Sequence, residues 1–204
     1  MANKYYMEVQ LTLTEDILGS CPSDPYLHEN YIASKAPDAW SKEEEIEALG
    51  TEAVVEKGKT IFSKDENGTP YLYDYQIRGF FKESCNALRT NKEYLSSKIK
   101  AYKKEVDLRI FIKERRIPFE NVTPMYDLQR PLRASTPMGE RVALANSEAI
   151  RAGATLTFTV KCYNKEDLAL VREWLDYGED HGLGQWRSGG YGKFTWKELK
   201  TYEQ

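Results

Sequence analysis

The strict alternation of apolar and polar residues in two segments, 6–14 and 154–162, constrains the fold of this chain more than any other feature. In both segments every second side chain is apolar, and most residues between are threonine, glutamine or charged. A repeat of two residues predicts β-strands with one face against a core and the other toward solvent. Residues 105–113 and 191–199 alternate in the same way, which predicts four core strands.

Two segments with helical spacing separate these strands. The first runs from about residue 79 to 90, and Gly79 is expected to turn the chain from a strand into it. The second is expected to begin with Asn164 as its cap. Their apolar stripes are Phe81, Cys85 and Leu88, and Leu168, Val171 and Leu175. The order strand, helix, strand, strand, helix, strand predicts an α+β fold, the ferredoxin-like split βαβ arrangement with both helices on one face of an antiparallel sheet.

Two long insertions without regular periodicity interrupt this order within a single predicted domain of 204 residues. One, about 19–75, follows strand one, and the other, about 115–153, separates strands two and three. Insertions of this length in a compact domain are usually functional or disordered. Within the first insertion, Asn67-Gly68 predicts a hairpin turn and residues 41–49 predict a helix.

Charge is unevenly distributed along a chain whose net charge is −3. Residues 1–57 carry 4 Lys/Arg and 12 Asp/Glu, whereas residues 98–151 carry 12 Lys/Arg and 7 Asp/Glu. A basic central segment and an acidic N-terminal segment suit a polyanion-binding face, but charge alone favours solvated surfaces of unrelated sign. Three distant cysteines and two histidines predict neither a zinc site nor a disulfide framework, which favours a cytoplasmic protein. No apolar run reaches the length that spans a bilayer, so no membrane association is expected.

The segment GLGQWRSGGYGKF, residues 182–194, holds five glycines together with Trp186, Tyr191, Arg187 and Lys193. Its glycine spacing and its position between a helix and a strand fit neither a Walker loop nor a dinucleotide-binding fingerprint. Bare backbone lets amides approach phosphates, the cations supply charge, and the aromatic rings are suited to stacking on bases. The alternative interpretation is a glycine-rich turn with a packed tryptophan.

A second candidate anion site is YQIRGFFKESCNAL, where a helix N-terminus is predicted next to two cations, Arg78 and Lys82. Exposed amides and the helix dipole at such an end favour phosphate binding. The alternative is an ordinary strand-to-helix turn in which Phe80 and Phe81 pack into the core.

Three features follow one another in the chain: an early strand, the segment IRGFFKESCNAL and the late segment GLGQWRSGGYGKF. Together they resemble the RAMP superfamily of CRISPR-associated RNA-binding proteins. The chain is most like the backbone subunit of type III CRISPR effectors. The thumb of that subunit is similar to the segment IPFENVTPMYDLQRPLRASTPMGERV. Its following strand, helix and loop are similar to the segment ATLTFTVKCYNKEDLALVREWLDYGEDHGLG. The resemblance covers most of the chain outside the 19–75 insertion. The chain departs from the family at Phe80 and Phe81, which replace small residues, and it lacks the helix start's second glycine.

The resemblance implies an RRM-like palm with an inserted thumb hairpin that coats guide RNA in an antiviral ribonucleoprotein. It also implies contacts with target RNA and other CRISPR effector subunits, and a head-to-tail homo-oligomer along the RNA. The helix start and the glycine-rich loop would meet phosphates, and the thumb would reach between bases. The RNA-binding residues it implies are Arg78, Gly79, Lys82, Gln129, Arg130, Arg133, Gly184, Trp186, Arg187, Ser188, Gly189, Gly190 and Tyr191.

Two alternative functions remain open at this point. In RAMP subunits that cut RNA, an aspartate in the loop after strand one supports metal-dependent cleavage. Asp24 lies in the corresponding loop of this chain, and His28 in the same loop is a candidate acid or base. A magnesium ion is expected only if Asp24 is catalytic, whereas an Asp24-Pro25 turn would fit a subunit that binds RNA without cofactor or metal. The acidic N-terminal third also suits a mobile-element decoy or inhibitor that docks on CRISPR subunits.

Overall fold

A computed structural model describes residues 3–23, 59–136 and 139–204 of the chain, with side chains throughout except at 131–144. The predicted helix at 41–49 lies outside the described residues, and so do the candidate catalytic groups Asp24 and His28. In chain order the elements are β1 (Tyr5–Leu13), β2 (Ile17–Leu18), β3 (Cys21–Pro22), β4 (Thr60–Ile61), β5 (Ser63–Lys64), β6 (Pro70–Tyr73), α1 (Asp74–Leu88), a 3₁₀ turn (Leu95–Lys98), α2 (Tyr102–Arg109), β7 (Ile110–Ile112), β8 (Arg116–Glu120), β9 (Tyr126–Thr136), β10 (Gly139–Ile150), β11 (Thr155–Cys162), α3 (Asp167–His181), a 3₁₀ turn (Arg187–Gly189) and β12 (Phe194–Glu203).

The central strands lie in the order β12, β1, β11, β7, and each neighbouring pair is antiparallel. With α1 and α3 as the crossovers, this order confirms the ferredoxin-like fold. The register places Val9 opposite Phe158 and Leu11 opposite Leu156, so the apolar residues of both strands share one face. That face is buried under the helices, where the Phe81 and Trp174 rings lie 5.5 Å apart.

Helix α1 begins at Asp74, so the prediction of a helix start at Gly79 is wrong. The Gln76 side chain accepts a hydrogen bond from the Tyr73 amide at 2.7 Å and closes the first turn. Gly79 is therefore an interior helix residue, and Arg78 and Lys82 lie beyond the first turn, away from the amides at the helix end. The predicted anion site at a helix N-terminus is not formed by these residues.

Residues 102–109 are helical, so the predicted strand over 105–113 is confirmed only for Ile110–Ile112. Val106 is buried while Leu108 is 64% exposed, which is a helical and not a strand pattern of burial. Because residues four apart share a face in both a helix and a strand, Val106 and Ile110 mimic alternation.

Helix α3 begins at Asp167, three residues after the predicted cap. Asn164 contributes its backbone carbonyl to the Asp167 amide at 3.2 Å, and Glu166 is the residue that precedes the helix. The predicted stripe of Leu168, Val171 and Leu175 is buried against the sheet.

The second insertion forms a long antiparallel hairpin of β9 and β10, which confirms the inserted hairpin. Its base joins a second sheet, because β10 pairs with β2 next to the end of β1 and contacts β4 at Ser147 and Thr60. The predicted Asn67-Gly68 turn is also present, with Gly68 at φ +79° between the antiparallel strands β5 and β6. No helix within the described residues is both long and apolar enough to cross a membrane.

Candidate nucleic-acid interface

The glycine-rich loop between α3 and β12 is held in one shape by its own backbone. The Leu183 amide donates to the Gly192 carbonyl at 2.9 Å, and the Gly192 amide donates to the Asp16 carbonyl at 2.8 Å. Gly192 has φ +75°, and a Cβ there would lie 1.8 Å from the Leu183 carbonyl oxygen. This glycine is therefore required to close the loop, whereas a Cβ on Gly190 would meet no atom within 4 Å.

Trp186 organises the outer part of the loop. Its ring stacks on Tyr191 with centroids 5.0 Å apart, and the Arg130 guanidinium lies over it at 4.5 Å. A Cβ on Gly189 would lie 2.6 Å from the same ring, so this glycine makes room for the tryptophan. We call Arg130, Trp186 and Tyr191 the thumb-base stack, since it joins β9 of the hairpin to the loop. That Trp186 or Tyr191 stacks on a base stays a prediction.

Arg130 is the least satisfied cation of this surface. Its Nε and Nη1 atoms are buried without a hydrogen-bond partner among the described residues, and so is Oδ1 of Asn146 on the neighbouring strand β10. Burial lowers the pKa of the Arg130 guanidinium. A buried donor without an acceptor costs about 1–3 kcal/mol, and an oxygen acceptor that reached these two nitrogens would remove that cost.

Tyr126 and Arg151 extend the same region at the start of β9 and the end of β10. The Tyr126 hydroxyl donates to the Asp16 carboxylate, and the Arg151 guanidinium lies 4.5 Å over the Tyr126 ring. Burial and the hydrogen bond to Asp16 raise the pKa of Tyr126 to about 12. Sequence reasoning missed both residues, because the hairpin that brings them together gives no periodic signal.

A groove of about 180 Å³ separates α1 from the glycine-rich loop. Its lining includes Gln76 and Gly79 from α1 and Gly184 and Arg187 from the loop. We call this the α1 groove. It brings together two segments that lie about a hundred residues apart in the sequence. A Cβ on Gly79 would meet no atom within 4 Å, so packing within the chain does not require glycine at this helical position.

Lys82 of α1 and Arg187 of the glycine-rich loop already hold carboxylate partners. Arg187 contacts Glu83 through both terminal nitrogens, the longer contact being 3.3 Å, and His181 Nε2 lies 4.0 Å from the same carboxylate. Burial and the charge of Arg187 lower the pKa of His181. Lys82 lies 2.6 Å from Asp107, so a phosphate would have to compete with internal anions at this helix.

Arg78 is paired in the same manner, at 3.0 Å from Asp74 and 3.7 Å from Asp107. Gln129 and Ser188 are exposed, on β9 and on the loop. Arg133 lies further along β9, and its side chain is outside the described part of the structure. The described residues contain no group of three or more His, Cys, Asp or Glu side chains placed to hold a metal ion.

A chain in the cryo-EM structure of type III-B Cmr-beta bound to cognate target RNA superposes on this protein with a TM-score of 0.55. The two chains share a fold. They are 10% identical, and the alignment covers 98% of this chain and 60% of the Cmr-beta chain. This protein thus corresponds to about 60% of the length of that relative. No protein-family model and no curated protein matches the sequence.

Proposed function

We propose that this protein binds single-stranded RNA and coats a guide RNA as a backbone subunit of a CRISPR ribonucleoprotein in antiviral defence. The observation that carries the proposal is Arg130, whose buried Nε and Nη1 atoms have no hydrogen-bond partner among the described residues, at the point where the hairpin meets the glycine-rich loop. Phosphate oxygens supply the acceptors that this guanidinium lacks. The fold shared with a Cmr-beta chain, whose structure contains target RNA, supports the same conclusion.

The two parts of the surface suit the two parts of a nucleotide. The α1 groove presents bare backbone at Gly79 and Gly184 beside Arg187, which allows a sugar-phosphate chain to approach closely. The thumb-base stack presents aromatic and guanidinium planes next to it, which suit unpaired bases. Trp186 and Arg187 are consecutive residues, so the stack and the groove draw on neighbouring positions of the same loop.

Coating implies several copies on one RNA, in contact with each other and with further effector subunits and target RNA. We expect the mass of the complex to rise in steps of one protein copy as the RNA is lengthened, as measured by mass photometry. One copy on RNAs of every length would contradict a coating role while leaving RNA binding intact.

The direct test is the affinity of the wild-type protein for a single-stranded RNA as a function of salt concentration. With about three phosphate contacts on a single strand, affinity should fall roughly 20-fold between 50 and 200 mM salt. Fluorescence anisotropy with a labelled RNA measures this dependence, and a duplex of the same sequence is the matched control. Absence of RNA binding at the lower salt concentration would overturn the proposal.

Replacing Gly79 by alanine is expected to stabilise the protein and weaken RNA binding. Alanine in the interior of an exposed helix is favoured over glycine by about 0.5–1 kcal/mol. The added methyl group projects into the α1 groove, and we expect affinity to fall about tenfold, or 1.4 kcal/mol. Urea denaturation and anisotropy measure the two effects, and Asn86→Ala, two turns further along α1, is the control. Unchanged affinity in Gly79→Ala would remove the groove from the interface.

Replacing Glu83 by glutamine is expected to raise RNA affinity. The change releases Arg187 from an exposed ion pair worth about 0–1 kcal/mol, which corresponds to an increase of up to about fivefold. Glu93→Gln, at an exposed position beyond the end of α1, makes the same change in net charge away from the groove. Equal gains in the two variants would indicate a general effect of charge and contradict a specific role for Arg187.

A further inference from the structure

Three tyrosines and two arginines form an ordered cluster where β6 enters α1. The Tyr73 ring stacks on Tyr75 with centroids 5.2 Å apart and meets Tyr71 edge-on at 5.1 Å. The Arg115 guanidinium lies 5.5 Å from the Tyr73 ring and 5.7 Å from the Tyr75 ring, and Arg116 lies 5.3 Å from Tyr71. We call these five residues the tyrosine–arginine cluster.

The cluster is open to solvent at its outer members and carries excess positive charge. The Arg115 side chain is 67% exposed and Tyr75 is 44% exposed. Among the described residues, Asp74 is the one carboxylate that pairs with Arg115, and it also pairs with Arg78. Arg116 is exposed, and no carboxylate among the described residues forms an ion pair with it.

The cluster adjoins the α1 groove on the same helix. Gln76, which lines the groove, follows Tyr75 directly in the first turn of α1. Gly79 lies four residues beyond Tyr75, a distance of about 6 Å along a helix that rises 1.5 Å per residue. Tyr75 therefore lies about one helical turn from the glycine that lines the groove.

We propose that the tyrosine–arginine cluster binds the next nucleotides of the RNA strand as it leaves the α1 groove. The exposed face of Tyr75 would stack on a base, and Arg115 and Arg116 would meet its flanking phosphates. The inference rests on the proposed RNA-binding function and adds a second contact to it.

The composition of the cluster favours nucleic acid over a protein partner. Three stacked or edge-on rings beside two guanidinium groups repeat the ring-and-cation pattern of sequence-tolerant single-strand binding. The exposed guanidinium groups are positive, and among the described residues one carboxylate pairs with them, which suits the regular negative charge of an RNA backbone.

The test compares RNAs of one composition that increase in length by single nucleotides. The wild-type affinity should increase at the length that first reaches the cluster. Tyr75→Ala and Arg116→Gln should each remove that increase, with a loss of at least fivefold on the long RNA. On the shortest RNA that the wild type binds, the affinity of both variants should equal that of the wild type. Tyr94→Ala and Lys92→Gln, at exposed positions near the other end of α1, are the matched controls.

The outcomes separate this inference from the proposed function. If Tyr75→Ala and Arg116→Gln lose equal affinity for short and long RNAs, or lose none for either, the cluster is not a second contact, and the proposed RNA binding is unaffected. Unchanged RNA affinity together with loss of multi-copy assemblies in mass photometry would make the cluster a protein contact, which also overturns the inference. Failure of the wild type to bind any RNA would overturn both proposals. Thermal melting of each variant verifies that it is folded.

Discussion

Alanine at position 192 is expected to destabilise the protein by about 2–5 kcal/mol, the largest effect of any single methyl group in the glycine-rich loop. A left-handed backbone costs a residue with a Cβ about 1–2 kcal/mol, and forcing a methyl group into packed structure adds about 1–3 kcal/mol. Here the obstacle is the Leu183 carbonyl oxygen, 1.8 Å from the Cβ position, in the backbone that closes the loop. The free energy of unfolding from urea titration measures the loss.

Gly190→Ala is the matched control for this prediction. Gly190 has a left-handed φ of +88°, but no atom lies within 4 Å of its Cβ position. We expect only the conformational cost of about 1–2 kcal/mol at this position. Equal losses of stability in Gly190→Ala and Gly192→Ala would show that the Leu183–Gly192 closure does not determine the shape of the loop.

Replacement of Arg130 by alanine is expected to weaken RNA binding by about 10- to 100-fold without loss of stability. Hydrogen bonds to charged groups are worth about 1.5–3 kcal/mol, which sets the expected loss of affinity. The folded protein loses its cation–π contact with Trp186 but is relieved of two buried donors that have no acceptor among the described residues. The second effect offsets the first, so the free energy of unfolding should be unchanged or higher.

Arg172→Ala removes the same charge at a position on α3, where Arg172 pairs with Glu198. We expect this control to bind RNA within about twofold of the wild type, as a rim charge contributes little to affinity. If Arg130→Ala loses no more RNA affinity than Arg172→Ala, the thumb-base stack is not the place where RNA binds.

Sequence patterning is sufficient to predict the sheet and both crossover helices, because burial of one face imposes periods that are visible in a single chain. The alternation in residues 6–14 and 154–162 corresponds to paired strands with their apolar residues on one side. It fails at residues 105–109, where helix and strand periods coincide at positions four apart. It also fails at the start of α1, where Tyr73 occupies a position at which Ser, Thr, Asp or Asn is usual.

The candidate interface is less accessible to sequence reasoning, because its chemistry depends on partners distant in the chain. Arg187 and Lys82 are visible as cations, but their pairing with Glu83 and Asp107 requires the three-dimensional fold. The position of Arg130, with two buried nitrogens that have no partner among the described residues, depends on the hairpin and on Trp186 together. Glycines in one short stretch likewise have different roles, with Gly192 needed for closure and Gly190 facing open space.

Ultraviolet crosslinking of the wild-type protein to single-stranded RNA, followed by mass spectrometry of the linked peptides, tests the central claim most directly. We expect crosslinks at the loop that contains Trp186 and Tyr191, and these should disappear at high salt together with binding. Crosslinks confined to aromatic residues outside the groove, the thumb-base stack and the tyrosine–arginine cluster, such as Tyr94 or Tyr102, would contradict the assignment of this surface to RNA.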